Sequence, residues 1–208
     1  LFRSNLCQAA LSLFEATGKK VYFKKAIEWT NYLEDKFLDQ ETGGFRFNED
    51  KPIDGLNVIP MPIQDNATPS GNGIMAHVYC DLYHLSAQDT YKEKFLNLIH
   101  CFGTSNPNTI FSTPNLASAL IKFDQIKIIA ITGIDPKKTD NALINKSFLY
   151  PSPNRKVLLV DIYDPENQLE FLRDKVKVDN KETVYICQFG RCSLPITDID
   201  DLESALSS

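Results

Sequence analysis

The sequence lacks the features that mark proteins of membranes or nucleic-acid complexes. No apolar run reaches the roughly 20 residues that a transmembrane helix needs, and the longest, around residues 126–131, has the length of a buried strand. No basic stripe stands out among the 22 lysines and arginines, and 27 acidic residues give a formal net charge of −5. Because an acidic protein gains little from a phosphate-rich surface, we expect no nucleic-acid partner and no membrane partner.

A signal peptide is also absent from the sequence, which favours the cytoplasm. The chain has no initiator methionine and opens within a helical pattern. We therefore expect it to be the C-terminal part of a longer protein, with the missing N-terminal part as its partner. Hydrophobic residues make up 43% of the 208 residues, which is enough for one large or two small folded domains.

The five cysteines are an odd number and do not form the framework of a small secreted domain. Three of them lie in helical apolar patterns that are typical of buried thiols: Cys7, Cys80 and Cys101. Cys187 and Cys192 flank a turn at Gly190, and a chain that folds back there brings their Cα atoms within about 7 Å. Two interpretations stay open: a redox pair whose thiolate is favoured by Arg191, or two buried thiols around a tight turn.

The first half of the chain has helical periodicity in two pairs of segments. Apolar residues recur every three or four positions over residues 6–14 and 22–37, and again over residues 74–85 and 91–102. In both pairs a short turn precedes a tyrosine near the start of the returning helix. A fifth helix is predicted over residues 114–123. Such repeated helical hairpins are typical of toroids and solenoids, where each hairpin needs neighbours to bury its apolar face.

Beyond residue 124 the periodicity changes. Three β-branched apolar runs predict strands, and two segments near them look helical. The strand runs are residues 127–133, 156–161 and 183–187, and the helical segments are residues 139–148 and 166–175. Strands that alternate with helices favour a small, mainly parallel sheet. We predict a mainly α fold in two domains: helical hairpins over residues 1–124, and a small α/β unit over residues 125–208 that ends in a helix capped by Asp198.

The most informative loop is residues 65–73, a run of small polar residues that leads directly into an apolar helix. Ser70 or Asn72 can cap this helix, because the side-chain oxygen of either can accept an N–H bond of the first turn. A helix N-terminus also attracts anions and hydroxyl oxygens, so the same loop can form the wall of a polar ligand site. Under both interpretations we predict that Asp65, Ser70 and Asn72 converge at the start of the helix.

Four segments of the chain resemble the pattern of one family. They are Thr17-Gly18 before Tyr22, then Gly43-Gly44-Phe45, then Asp65-x-Ala67-x-Pro69-Ser70-Gly71-Asn72, and finally Tyr185-x-Cys187-x4-Cys192 with Pro195 and Thr197-Asp198. Their order and spacing look like those of the YyaL-type family, the relatives of spermatogenesis-associated protein 20. The resemblance covers nearly the whole chain but only the C-terminal part of such a protein. It implies a thioredoxin-like domain elsewhere in the full protein. It also implies an α/α toroid similar to N-acylglucosamine 2-epimerases and six-hairpin glycosidases, and this chain would form only part of that toroid.

A toroid of that kind implies carbohydrate chemistry, which needs acids or bases in the central cavity. The candidate carboxylates are Asp54 and Asp65, and only Asp65 matches the family motif, so it is the candidate catalytic residue. The alternative for Asp65 is an Asx-turn that holds the loop. The candidate ligand-binding residues are Ser70, Asn72 and Phe45, since sugars also stack on aromatic rings.

One helical stripe carries His77, Asp81 and His84, a pattern that can bind a metal or form a proton relay. A satisfied or solvated helix face produces the same pattern more often. We therefore predict no metal site and no cofactor.

Two functions remain open at this point. In the first, this part of a toroid binds or transforms a small carbohydrate-like ligand. In the second, it is a non-catalytic interaction module or a redox-linked module that works with a thioredoxin-like domain. The polar loop before the helix favours the first function, and the lack of a clear pair of carboxylates favours the second.

Overall fold

The chain divides into two compact units. The structure, a computed structural model, describes residues 2–49, 59–103, 109–134, 141–160 and 169–207. The first unit is Leu1–Leu11 with Tyr22–Asp124, and the second is Ser12–Val21 with Gln125–Ser208.

The first unit is built from helices, as its periodicity predicts. Its helices are α1 (Phe2–Thr17), α2 (Lys20–Phe37), α3 (Gly71–Ser86), α4 (Asp89–Phe102), the single turn α5 (Thr109–Ser112) and α6 (Pro114–Gln125). The C-terminal end of α1 and the N-terminal end of α2 are counted with the second unit. α6 begins with a proline, whose missing N–H would be unpaired at that position in any case.

Two of the helix–helix turns use the same local geometry. Gly18 after α1 and Ala87 after α3 have φ values of +67° and +56°. Each donates its N–H to the carbonyl oxygen four residues earlier, at 2.8 Å. A left-handed residue at this position ends a helix and lets the chain reverse. At Gly18 a side chain is also excluded by space, because a Cβ there would lie 2.8 Å from the Leu159 carbonyl oxygen.

The core of the first unit surrounds α3, which is buried along most of its length. A helix that is buried along most of its length must be covered by other elements on most of its sides. The Phe123 ring of α6 stacks on Phe95 of α4 and on Tyr83 of α3, with ring centroids 4.3 Å and 5.4 Å apart. These aromatic contacts fix α6 and α4 on neighbouring sides of the central helix.

The second unit is a four-stranded sheet with helices packed against it. Its elements are β1 (Lys127–Thr132), α7 (Ala142–Leu149), β2 (Arg155–Val160), a 3₁₀ turn (Glu170–Leu172), β3 (Thr183–Gln188), β4 (Arg191–Cys192) and α8 (Ile199–Ser207). The strand order is β2-β1-β3-β4. Ile129 and Val157 of the sheet share a buried core with Leu202 of α8. Asp198 caps α8 as predicted, since its Oδ1 accepts the Asp200 N–H at 2.8 Å.

The prediction of a mainly parallel sheet is wrong, because the sheet is mixed. β1 pairs parallel with β2 but antiparallel with β3, and β3 pairs antiparallel with β4. A parallel return needs a crossover that runs back along the sheet. The helix predicted over residues 166–175 would supply it, but the described residues 169–182 hold only the 3₁₀ turn. Asp179 and Asn180, with φ values of +50° and +58°, then turn the chain into β3.

The outer edge of β2 is covered in part by the side chain of Glu15, at the end of α1. Its Oε1 accepts the main-chain N–H of Val157 at 3.0 Å, and its Oε2 accepts from Lys156 Nζ at 3.2 Å. An open strand edge is a template for pairing with another chain. The carboxylate therefore satisfies an edge donor and holds the last turn of α1, which belongs to the second unit, against β2. Helical periodicity alone does not indicate this contact.

Candidate functional site

The carboxylate of Asp65 joins the N-terminal ends of two helices. Its Oδ1 accepts the N–H of Ser70, next to α3, and its Oδ2 accepts the N–H of Asn115 in the first turn of α6, both at 2.7 Å. Helix N-termini carry partial positive charge, so a carboxylate between two of them is stabilised by both. These contacts favour the interpretation of Asp65 as a residue that holds the loop, and they add no support for a catalytic role. Asp54 lies outside the described residues.

Ser70 is the N-cap of α3. Its backbone is extended, with φ −67° and ψ 148°, and its Oγ accepts the N–H of Gly73 at 3.1 Å. Only 3% of Ser70 is exposed, so the hydroxyl is used inside the protein. The capping prediction is therefore confirmed for Ser70.

Asn72 is not a cap, because it lies in the first turn of α3 and its side chain reaches a distant segment. Its Oδ1 accepts the Phe45 N–H at 2.7 Å, and its Nδ2 donates to the carbonyl oxygens of Phe45 and Pro62, both at 2.9 Å. The side-chain amide thus pairs with Phe45 as another peptide group would. Asn72 is only 2% exposed, so the three bonds are shielded from water and fix both segments against the start of α3.

A cleft of about 240 Å³ lies beside these bonds, within the first unit. Its lining includes three phenylalanines, two arginines and one asparagine: Phe37, Phe45, Phe47, Arg3, Arg46 and Asn72. Phe45 is 6% exposed and its ring packs 6.1 Å from that of Tyr79, whereas Phe47 is 51% exposed. The structure therefore brings Asn72 and Phe45 to one cleft, while Ser70 and Asp65 are not among its lining residues.

An ion pair between Arg46 and Asp39 supports one side of the cleft. Arg46 donates to Asp39 Oδ2 from Nη2 at 2.5 Å and from Nε at 3.1 Å. The other oxygen, Oδ1, accepts the N–H groups of Glu41 and Thr42 at 3.0 Å and 2.9 Å. The Thr42 N–H and then the Arg46 guanidinium lower the pKa of Asp39 to about 2. The pair is therefore ionised at neutral pH and orients the guanidinium.

Arg3 supplies the second guanidinium. It donates from Nη1 to the Tyr32 hydroxyl at 2.6 Å and lies over the Tyr32 ring, 5.0 Å from its centroid. The same group lies 5.6 Å from the centroid of Phe37, and about half of its side chain is exposed (49%). The sequence patterns identify neither arginine as a site residue. For Arg46 a signal existed, because Asp39 and Arg46 are opposite charges on either side of a glycine turn.

The stripe of His77, Asp81 and His84 packs against α6. The Nε2 atoms of His77 and His84 lie 3.1 Å and 3.0 Å from carbonyl oxygens of α6. Asp81 forms an ion pair with Lys122, and their side chains are only 4% and 11% exposed. Burial lowers the pKa of His84. The stripe is thus a polar interface between α3 and α6, and in the described ranges no group of three histidine, cysteine or acidic side chains is arranged to hold a metal.

Cys187 and Cys192 form a disulfide across the β3–β4 hairpin. The two residues are direct partners in the strand register, and their Cα atoms are 4.0 Å apart, as their predicted proximity requires. Phe189 and Gly190 form the connecting turn with φ values of +49° and +72°. This is a two-residue hairpin turn with both central residues left-handed. The redox role of the pair stays a prediction.

Relatives of the chain carry a name but no stated activity. The chain is 28% identical over 201 residues to human spermatogenesis-associated protein 20, a match that covers 94% of this chain and 25% of that protein. The rat protein of the same name is 29% identical over 201 residues, and an uncharacterised protein of Caenorhabditis elegans is 26% identical over 205 residues. The chain thus spans about a quarter of the length of these relatives. No protein-family model matches it.

The described helices do not include a membrane-spanning segment. None of them combines the length and the apolar character needed to cross a bilayer.

Proposed function

The chain belongs to the spermatogenesis-associated protein 20-like family, and from this premise we propose that its helical unit binds a small carbohydrate-like ligand in the cleft beside Asn72. In this proposal the first unit is part of an α/α toroid. The repeated left-handed turns after α1 and α3 support it, since a toroid repeats one helical hairpin.

The observation that supports binding is that the half-exposed Phe47 lines the same cleft as Arg3 and Arg46. A sugar ring can stack its C–H face on an aromatic ring, while its hydroxyl or phosphate oxygens accept from Arg3 and Arg46. The volume of about 240 Å³ lies just below the range of about 300–1,000 Å³ that is usual for small-molecule sites. Such a volume suits one sugar ring better than an oligosaccharide.

We propose binding without catalysis because the candidate catalytic residue, Asp65, and the predicted ligand-binding residue Asn72 are already engaged in bonds within the protein. Both oxygens of Asp65 accept main-chain N–H bonds, and the amide of Asn72 makes three buried bonds. Hydrolysis of a glycoside needs two carboxylates that face the substrate. Asp65 and Asn72 therefore form the frame of the proposed site, and Phe47 with the two arginines forms its contact surface.

A thermal-shift panel of monosaccharides and sugar phosphates tests the proposal. A ligand that binds only the native state at 100 times its Kd stabilises the protein by about 2.7 kcal/mol, so a true ligand raises Tm. We expect Phe47→Ala to abolish that shift. Phe111→Ala is the matched control, because Phe111 belongs to the same unit, is 84% exposed and does not line the cleft.

Two results would overturn the proposal. One is a panel in which no sugar or sugar phosphate raises Tm of the unmodified protein. The other is a ligand that shifts Phe47→Ala as strongly as it shifts the unmodified protein.

A further inference from the structure

The Cys187–Cys192 disulfide differs from the remaining cysteines in its position. Cys7 and Cys80 are buried and not disulfide-bonded, and burial raises the pKa of Cys7 to about 11, which makes it a poor nucleophile. The disulfide instead closes a hairpin at the edge of the sheet, since β4 is the outermost strand. The site is thus presented at the margin of the second unit.

The two sulfur-bearing residues are unequally accessible. Cys187 is 3% exposed, whereas Cys192 is partly exposed on the edge strand. The turn beside them is open, because a Cβ on Gly190 would meet no atom within 4 Å. Arg191, an exposed neighbour of Cys192 in the chain, carries a positive charge that attracts an approaching thiolate. An incoming thiolate can therefore reach Cys192, and Cys187 is the leaving group.

The hairpin has contacts that do not depend on the disulfide. The Ser193 N–H donates to the Ile186 carbonyl oxygen at 2.8 Å, and the Ile186 N–H donates to Ser193 Oγ at 3.1 Å. Further along, Val184 and Ile196 exchange two main-chain bonds at 2.8 Å and 2.9 Å. These bonds keep the strands paired after reduction, so the two thiols stay opposite each other and can form the disulfide again.

We propose that Cys187 and Cys192 form a thiol–disulfide exchange site that an external dithiol reduces through Cys192. A thiolate of the dithiol attacks Sγ of Cys192, the bond to Cys187 breaks, and its electron pair leaves on Cys187 Sγ, which takes up a proton. The second thiolate of the dithiol then attacks the first sulfur of the same dithiol, which is bonded to Cys192 in the mixed disulfide. Cys192 Sγ leaves with the electron pair and is protonated. Two electrons and two protons pass to the protein, and the dithiol becomes a disulfide.

Exposed apolar side chains lie next to this site, and they favour a protein as the carrier of the external dithiol. Phe189 at the turn is 63% exposed and Leu194 is 85% exposed, on either side of Cys192 in the chain. Apolar surface around a reactive centre is typical of a contact with another protein. A small dithiol is expected to react by the same route, which makes it a usable probe.

The first experiment treats the unmodified native protein with dithiothreitol, then alkylates it and measures its mass. We expect two more alkylated thiols than in the oxidised protein, an unchanged circular dichroism spectrum, and loss of both labels after reoxidation. Cys101→Ser is the matched control, because it removes the half-buried free thiol but leaves the disulfide. No disulfide in the oxidised protein, or reduction only after urea unfolding, would overturn the proposal.

The second experiment tests the order of attack. Cys187→Ser leaves Cys192 free, and Cys192→Ser leaves Cys187 free. With oxidised glutathione we expect the Cys187→Ser protein to form a mixed disulfide about tenfold faster, since access limits the rate at the buried residue. Equal rates, or a faster rate at Cys187, would refute attack at Cys192.

Discussion

Replacing Asp65 with asparagine separates a structural carboxylate from one that is available to a ligand. The aspartate accepts one main-chain N–H on each oxygen, from Ser70 and from Asn115. An asparagine keeps a single acceptor oxygen, and its NH₂ group must then face a main-chain N–H. The substitution is nearly the same size, so the change in stability reports the hydrogen bonds and the charge.

The magnitude follows from those two contacts. A hydrogen bond to a charged group contributes about 1.5–3 kcal/mol, and a carboxylate at a helix N-terminus about 0.3–1 kcal/mol. Because Asp65 is half-buried, the lower values apply. We expect Asp65→Asn to reduce the free energy of unfolding by about 2 kcal/mol. Asp65→Ala loses both bonds and should cost about 3 kcal/mol.

Urea unfolding followed by circular dichroism measures the change. Asp35→Asn is the matched control, since it makes the same change of charge in the same unit on a side chain that is 69% exposed. We expect the control to change stability by less than about 0.5 kcal/mol. If Asp65→Asn behaves like the control, Asp65 does not hold the two helix ends, and the assignment of a structural role is refuted.

Three further predictions concern the helical unit. Asn72→Ala should reduce the free energy of unfolding in urea by about 3 kcal/mol, because three main-chain groups lose the hydrogen bond to its amide. A reduction below about 1 kcal/mol would contradict these hydrogen bonds. Asp81→Leu and Lys122→Met should each cost about 3–5 kcal/mol, because each removes one partner of a buried ion pair. The variant that combines the two should lose less than the sum, and additive losses would show that the pair is not coupled. The pKa of Asp39 is lower in the folded protein than its value of about 3.9 in the unfolded chain. The ionised carboxylate therefore stabilises the fold at pH values above about 3.9, and this contribution is lost as the pH falls towards 2. The stability difference between the unmodified protein and Asp39→Asn should therefore shrink from pH 5 to pH 2, and a difference independent of pH would disprove the shift.

Local patterns in the sequence predict local structure well in this chain. The apolar spacing of α3 and the β-branched run of β1 each identify their element, and a short polar residue before a helix identifies the caps Ser70 and Asp198. In these cases the atoms that decide the structure lie within a few residues of each other. The glycine in the Cys187–Cys192 turn indicates the hairpin for the same reason.

Contacts between distant residues are the part that sequence patterns do not reveal. Asn72 bonds a residue 27 positions away, Lys122 pairs with a residue 41 positions away, and Glu15 reaches a strand 142 positions away. An asparagine near a helix start has the composition of a cap, and only the fold shows that its amide is used elsewhere. The stripe of His77, Asp81 and His84 resembles a metal site until α6 is placed against it.

The direction of β3 has a similar cause. Alternating runs predict a strand but not its orientation, which depends on how the connection is built. The segment before β3 has helical composition, yet in its described part it turns at Asp179 and Asn180 instead of crossing the sheet. The described residues 169–182 hold no crossover helix, and β3 pairs antiparallel with β1.

The central claim, a ligand cleft beside Asn72, is tested most directly by mapping amide chemical shifts in the ¹⁵N-labelled protein. The titrant is the sugar or sugar phosphate that raises Tm most. We expect saturable shifts at the amides of Arg46 and Phe47, with little change in the second unit. Saturable shifts centred on Asp65 and Ser70 instead, or no saturable shifts at all, would contradict the account.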